Sequence, residues 1–106
     1  MTEPRDVTAL AASMGGRWLV TTQGSQHIWD LDAGTYRRLP GPSSKSFAHD
    51  RHTHRITHIE QYPQVGSRSL VWFDDPTDPG LEHWRISSTI QSITRLDPGD
   101  SPAAPS

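Results

Sequence analysis

The chain has no cysteine and no asparagine. Without cysteine there is no disulfide framework, no thiolate nucleophile and no thiolate zinc site. No apolar run approaches the roughly 18 residues that a membrane-spanning helix needs. The N-terminus lacks a basic flank followed by an apolar stretch, which is the pattern of a secretory signal. Cytoplasmic residence is therefore the expectation. Apolar residues are scarce throughout: 32% of 106, with a mean hydropathy of −0.67. Basic charge is not in excess either, since the formal net charge is −2. That balance argues against a general nucleic-acid binder, whose footprint is a basic surface. A Gly-rich phosphate loop and an H-E-x-x-H zinc helix are both missing.

What is present suffices for one small domain. Residues 1–16 read as an N-terminal arm with an optional short helical turn over Val7–Met14, ended by Gly15-Gly16. Residues 97–106 (DPGDSPAAPS) read as a disordered Pro/Ser/Ala tail, since they have nothing to bury. Residues 17–96 remain for the fold, and their four Trp compensate in part for the low apolar content.

Strand signals fill that interval. Arg17–Thr22, His27–Leu31 and Thr35–Leu39 are β-prone, and Asp32-Ala33-Gly34 is a hairpin loop whose Gly can take a positive φ. In His52–Tyr62 the apolar residues Ile56, Ile59 and Tyr62 do not share one parity, which calls for a bulge or two half-buried faces. Leu70-Val71-Trp72-Phe73 is apolar on both parities and reads as a central strand buried on both faces. Trp84-Arg85-Ile86 and Ile90–Leu96 supply the last strands. Five to seven short strands at this spacing predict an all-β fold, a small partly open barrel that is SH3-like or similar. The expected core is Trp18, Val20, Trp29, Leu31, Leu39, Ile56, Leu70, Trp72, Ile86, Ile90 and Ile93.

One segment concentrates titratable chemistry. Four of the six histidines fall within His49–His58. On an extended strand His52 and His54 share a face, with Cα atoms roughly 6.5–7 Å apart. Imidazole nitrogens so placed suit zinc or another divalent transition metal, with Asp50, His58 or His83 as completing ligands. His52-Thr53-His54 resembles the H-x-H of the first cupin motif, and Gly80-Leu81-Glu82-His83 is similar to the G-x-x-H of the second. That resemblance implies a metal-binding domain. Glu60 follows one or two residues too late, and the interval to His83 is shorter than a cupin barrel needs. The bland alternative is a solvent-facing strand edge that uses His and charge to block unwanted pairing. Between the two lies an interaction patch of Lys45, His49, Arg51, Arg55 and His58, which gains positive charge as pH falls.

Other constellations are weaker. Ser25, His27 and Asp30 have the residue types of a hydrolase set, but Ser25 starts a strand and does not sit on a nucleophile elbow. Asp74, Asp75 and Asp78 lack the EF-hand spacing and its terminal Glu. The runs Gly16–Thr22, Gly24–Asp32, Arg38-Leu39-Pro40 and Ser87–Ile93 resemble short uncharacterised proteins of actinobacteria and their phages. That resemblance implies an all-β fold and carries no activity or cofactor. The expected function is a non-enzymatic β-barrel module that binds a protein partner, as a phage or host accessory factor does. A His52/His54 metal domain is the first alternative. A nucleic-acid accessory protein is the second.

Overall fold

A computed structural model describes residues 6–41, 52–75, 77–78 and 80–96. It is all-β. The strands are β1 (Asp6–Val7), β2 (Arg17–Thr22), β3 (Ser25–Asp30), β4 (Thr35–Pro40), β5 (His54–Gln61), β6 (Leu70–Asp74), β7 (Glu82–Ile86) and β8 (Ile90–Leu96). They form one antiparallel sheet in the order β1-β8-β2-β3-β4-β5-β6-β7. Among the described residues no helix is long and apolar enough to cross a membrane. The expected tail, residues 97–106, lies outside the described residues.

Alternation explains most of the packing, because successive side chains on a strand face opposite sides. Trp18 and Val20 of β2, His27 and Trp29 of β3, and Tyr36 and Arg38 of β4 point inward. Cross-strand register aligns Val20 with His27 and Arg38, and Trp18 with Trp29 and Tyr36. Gly34 closes the β3–β4 turn at φ 70°, as expected, and the Asp30 carboxylate accepts from the backbone N–H of Asp32 and Ala33.

The β4–β5 join is narrow, only Thr35 with Arg55 and Tyr36 with His54. Beyond it the sheet turns back over the core. Val71 and Phe73 of β6 are buried in the same cluster as Trp18, Val20, Trp29, Tyr36, Ile90 and Ile93. The Phe73 ring stacks on Tyr36 with centroids 5.9 Å apart. Irregular backbone bonds tie the far part to the arm: Leu10 N–H to Pro63 O at 2.9 Å and Val65 N–H to Thr8 O at 2.8 Å. No ladder among the described strands closes the sheet into a ring.

Several expectations need correction, and Leu39 and Leu70, expected in the core, are only half-buried on the outer faces of β4 and β6. Val7–Met14 forms no helix: its one local turn is Ala11–Met14, closed by Met14 N–H to Ala11 O at 3.0 Å. Val7 pairs with Ile93, Ala9 bridges Gln64, and Leu10 is buried in the core. Backbone groups spent on those partners cannot close helical turns. The short β1 so formed brings the strand count to eight. Trp72 is not sealed in the core: β6 buries Val71 and Phe73 on one face only, and Trp72 on the other donates its indole N–H to Glu60 at 3.0 Å. Ile86 is 50% exposed, because it shares parity with Trp84 on the outer face of the terminal strand β7. The parity conflict in β5 is resolved by two register shifts, Ile56/His58 and Ile59/Gln61. They let Ile56, Ile59 and Tyr62 all pack against the core.

Candidate functional site

The histidine stretch divides on folding. Lys45, His49, Asp50 and Arg51 lie outside the described residues. His52 is exposed and His54 is buried, with ring centroids 6.3 Å apart. The His54 ring packs on Phe73 at 4.7 Å. Arg55 forms an exposed ion pair with Asp74 at 2.8 Å, and His58 is exposed opposite Trp72. His83 reaches Phe73 from the other side at 5.8 Å, but its Nε2 is engaged by the Asp75 carboxylate at 2.7 Å. That hydrogen bond, with those from the Thr77 backbone and hydroxyl, holds Asp75 well below the usual carboxylate range. Among the described residues no group of three His, Asp or Glu could hold a metal ion. His52 and His54 are therefore brought together, and His58 and His83 are not brought to them.

A more elaborate polar arrangement lies inside the sheet. Thr22 closes the β2–β3 turn: its hydroxyl donates to Ser25 O and accepts from Ser25 N–H, both at 3.1 Å. Ser25 Oγ lies 2.9 Å from His27 Nε2, and His27 Nδ1 bonds the Tyr36 hydroxyl. All three side chains are buried, His27 to 1% exposure. Burial chiefly, then the charges of Arg38 and Arg85, lower the His27 pKa to about 3. The ring is therefore neutral, with one donor nitrogen and one acceptor nitrogen. The chain runs either Ser25 to His27 to Tyr36 or the reverse. Asp30 takes no part, because it caps the following turn. A base this weak is poorly matched to activating Ser25 near neutral pH.

Of these groups Ser25 and His27 line a cleft of about 400 Å³, with Gln23, Gly24, Arg38 and Arg85. Ile86, Ser87 and Ser88 form its opposite lip. Gly41 packs on the backbone of the lining Gly24: its N–H donates to Gly24 O at 3.1 Å, and a Cβ there would stand 2.5 Å from that oxygen. Arg38 is inward-facing opposite His27, and Arg85 is inward-facing opposite the buried Val71. The available sequence signal was parity. His27 shares the parity of Trp29, and Arg38 that of Tyr36.

The outer face of β6 and β7 carries the second feature. Cross-strand pairs Leu70–Ile86 and Trp72–Trp84 put four apolar side chains side by side. Trp84 is 55% exposed, and Leu81 is exposed just before β7. Glu60, Asp74 and Glu82 rim this patch. Compared with family models, curated proteins and solved structures, the chain matches none.

Proposed function

We propose that this chain is a non-enzymatic binding module that docks an extended segment of a protein partner on the outer face of β6 and β7. The observation that carries this reading is the exposure of Trp84 and Ile86, 55% and 50%, on the terminal strand of the sheet. A Trp can bury ~150–250 Å² at a contact, and Trp is enriched among the residues that dominate interface energetics. A terminal strand offers backbone groups to an added strand, while pockets between its side chains give specificity. Glu60 and Glu82 on the rim favour a segment with basic side chains and disfavour nucleic acid, while Asp74 is already paired with Arg55. Arg55 and His58 of the expected interaction patch border the same face. We read the curled sheet as a partly open, SH3-like barrel working in the cytoplasm, with β7 as its open edge.

The test is site-specific photocrosslinking in the native host. A benzophenone side chain in place of Trp84 should give discrete polypeptide adducts. The same group in place of the exposed Gln91 of β8 should not. Adducts lost on adding Ile86→Ser support the reading. Adducts independent of position, or adducts with nucleic acid, contradict it. Light scattering of the purified chain identifies the case in which the partner is a second copy.

A further inference from the structure

The cleft beside His27 concentrates positive charge where a β-sheet interior ordinarily carries none. Arg38 and Arg85 both project from inward-facing positions, and among the described lining residues there is no carboxylate. Arg38 is only 9% exposed. Both residues make further interactions of their own, while the buried Arg85 Nε donates to no group among the described residues. Their combined field nevertheless reaches the His27 ring, where each lowers its affinity for a proton. The imidazole adds no third charge. It holds Ser25 and Tyr36 in place and leaves the cationic character to the two arginines.

We propose that this cleft binds a small phosphate-bearing molecule, with Arg38 and Arg85 as the cationic partners of the phosphoryl oxygens and Ser88 as a hydroxyl donor at the rim. Guanidinium forks match phosphate oxygens bidentately, and two of them match a doubly charged group better than a single carboxylate. The cleft volume, about 400 Å³, is within the range of small-molecule pockets and far exceeds a bare phosphate. The remaining space lies against the Gly24 backbone and Ile86, which suits a compact organic group. The site meets the partner-docking face at Ile86, which borders both, but its arginines project away from that face. Arg85 and Trp84 are neighbours on β7 and face opposite sides of the sheet.

The experiment is amide NMR of the full chain, titrated at fixed pH and ionic strength with inorganic phosphate, phenyl phosphate and acetate. Saturable shifts are expected at the amides of Gln23, Gly24, Ser25, Ser87 and Ser88, with affinity in the order phenyl phosphate, phosphate, acetate. Equal affinity for the first two would assign the site to free phosphate and remove the organic group from the proposal. Arg85→Gln should weaken phenyl phosphate by about tenfold or more, since a hydrogen bond to a charged group contributes ~1.5–3 kcal/mol. Arg85→Lys should recover part of that loss, and it serves as the working variant if the Gln variant loses its dispersed spectrum. Shifts that never saturate, that cluster elsewhere, that follow chloride equally, or that persist undiminished in the Arg85 variants overturn the proposal. So does acetate binding as tightly as phosphate.

Discussion

Lowering the pH should destabilise this fold through His27. The ring is 1% exposed between Ser25 and Tyr36, and burial with the nearby Arg38 and Arg85 charges brings its pKa to about 3. In the unfolded chain the same ring takes a proton near its ordinary value of 6.5. Between those two values the unfolded state binds the extra proton, so stability falls as pH falls. Below about 3 both states are protonated and His27 contributes no further loss. From pH 7.5 to pH 5 the loss is about 2 kcal/mol. For a domain of this size that lowers Tm by about 8–16 °C. Asp75 acts elsewhere on the scale. Its depressed pKa stabilises the fold above the ordinary carboxylate value of 3.8 and is lost only below it. Circular-dichroism melts of the wild type and His27→Gln at constant ionic strength isolate the effect. The variant should start less stable and show a much flatter dependence of Tm on pH over this range. A wild-type Tm that is constant from pH 7.5 to 5, or parallel slopes in the two proteins, would refute the linkage.

Phe73→Ala should leave little folded protein, because truncating a buried aromatic costs ~3–5 kcal/mol in a domain with about 5 kcal/mol of stability. Trp72→Ala should cost only about 1 kcal/mol by the same urea titration, and equal losses for the two would place Trp72 in the core after all. Tyr36→Phe leaves His27 Nδ1 without its partner and should cost ~1–3 kcal/mol in chemical denaturation, whereas a neutral result would mean that the buried ring needs no bond there. Equilibrium dialysis at neutral pH should show only weak zinc retention, abolished by His52→Ala/His54→Ala, since two imidazoles make half of an ordinary zinc site. Stoichiometric zinc that survives a mild chelator would revive the metal-binding reading.

The strands were legible from residue pattern because turn residues punctuate them: Gly24, Gly34 and the Pro40-Gly41 step all fall at strand ends. The facing of those strands was harder to read. In Leu70–Phe73 both parities are apolar, so hydrophobicity alone cannot say that Val71 and Phe73 are the buried pair. In β7 the pattern misleads outright. Trp84 and Ile86 look like the core face, yet His83 and Arg85 occupy it. The cleft escapes a hydrophobic reading for the same reason. Its Ser25, His27, Arg38 and Arg85 sit where apolar residues would be expected, and such inconsistency between pattern and burial is itself a mark of a functional or strained site. The pairing of His52 with His54 was readable, since only local geometry is involved. The engagement of His83 with Asp75 depends on a loop conformation that no spacing rule specifies.

The position of β8 between β1 and β2 has a consequence for how the chain is made. Asp6 pairs with Thr94, and Arg17 with Leu96, so strands from opposite ends of the sequence are neighbours. After β1, a ribosome releases β2, β3 and β4, and these can zip together as consecutive hairpins. The edge of β2 then stays open until the seven residues of β8 emerge. During that wait Trp18 and Val20 lack the cover of Ile90 and Ile93. An open edge beside an uncovered apolar face is a template for a strand from another chain. The β8 strand of a second copy meets the same register and the same side chains as the chain's own. Strand exchange through β8 is therefore the route by which crowded nascent copies of this protein would entangle, and slowing synthesis just before Ile90 would lengthen the interval in which it occurs.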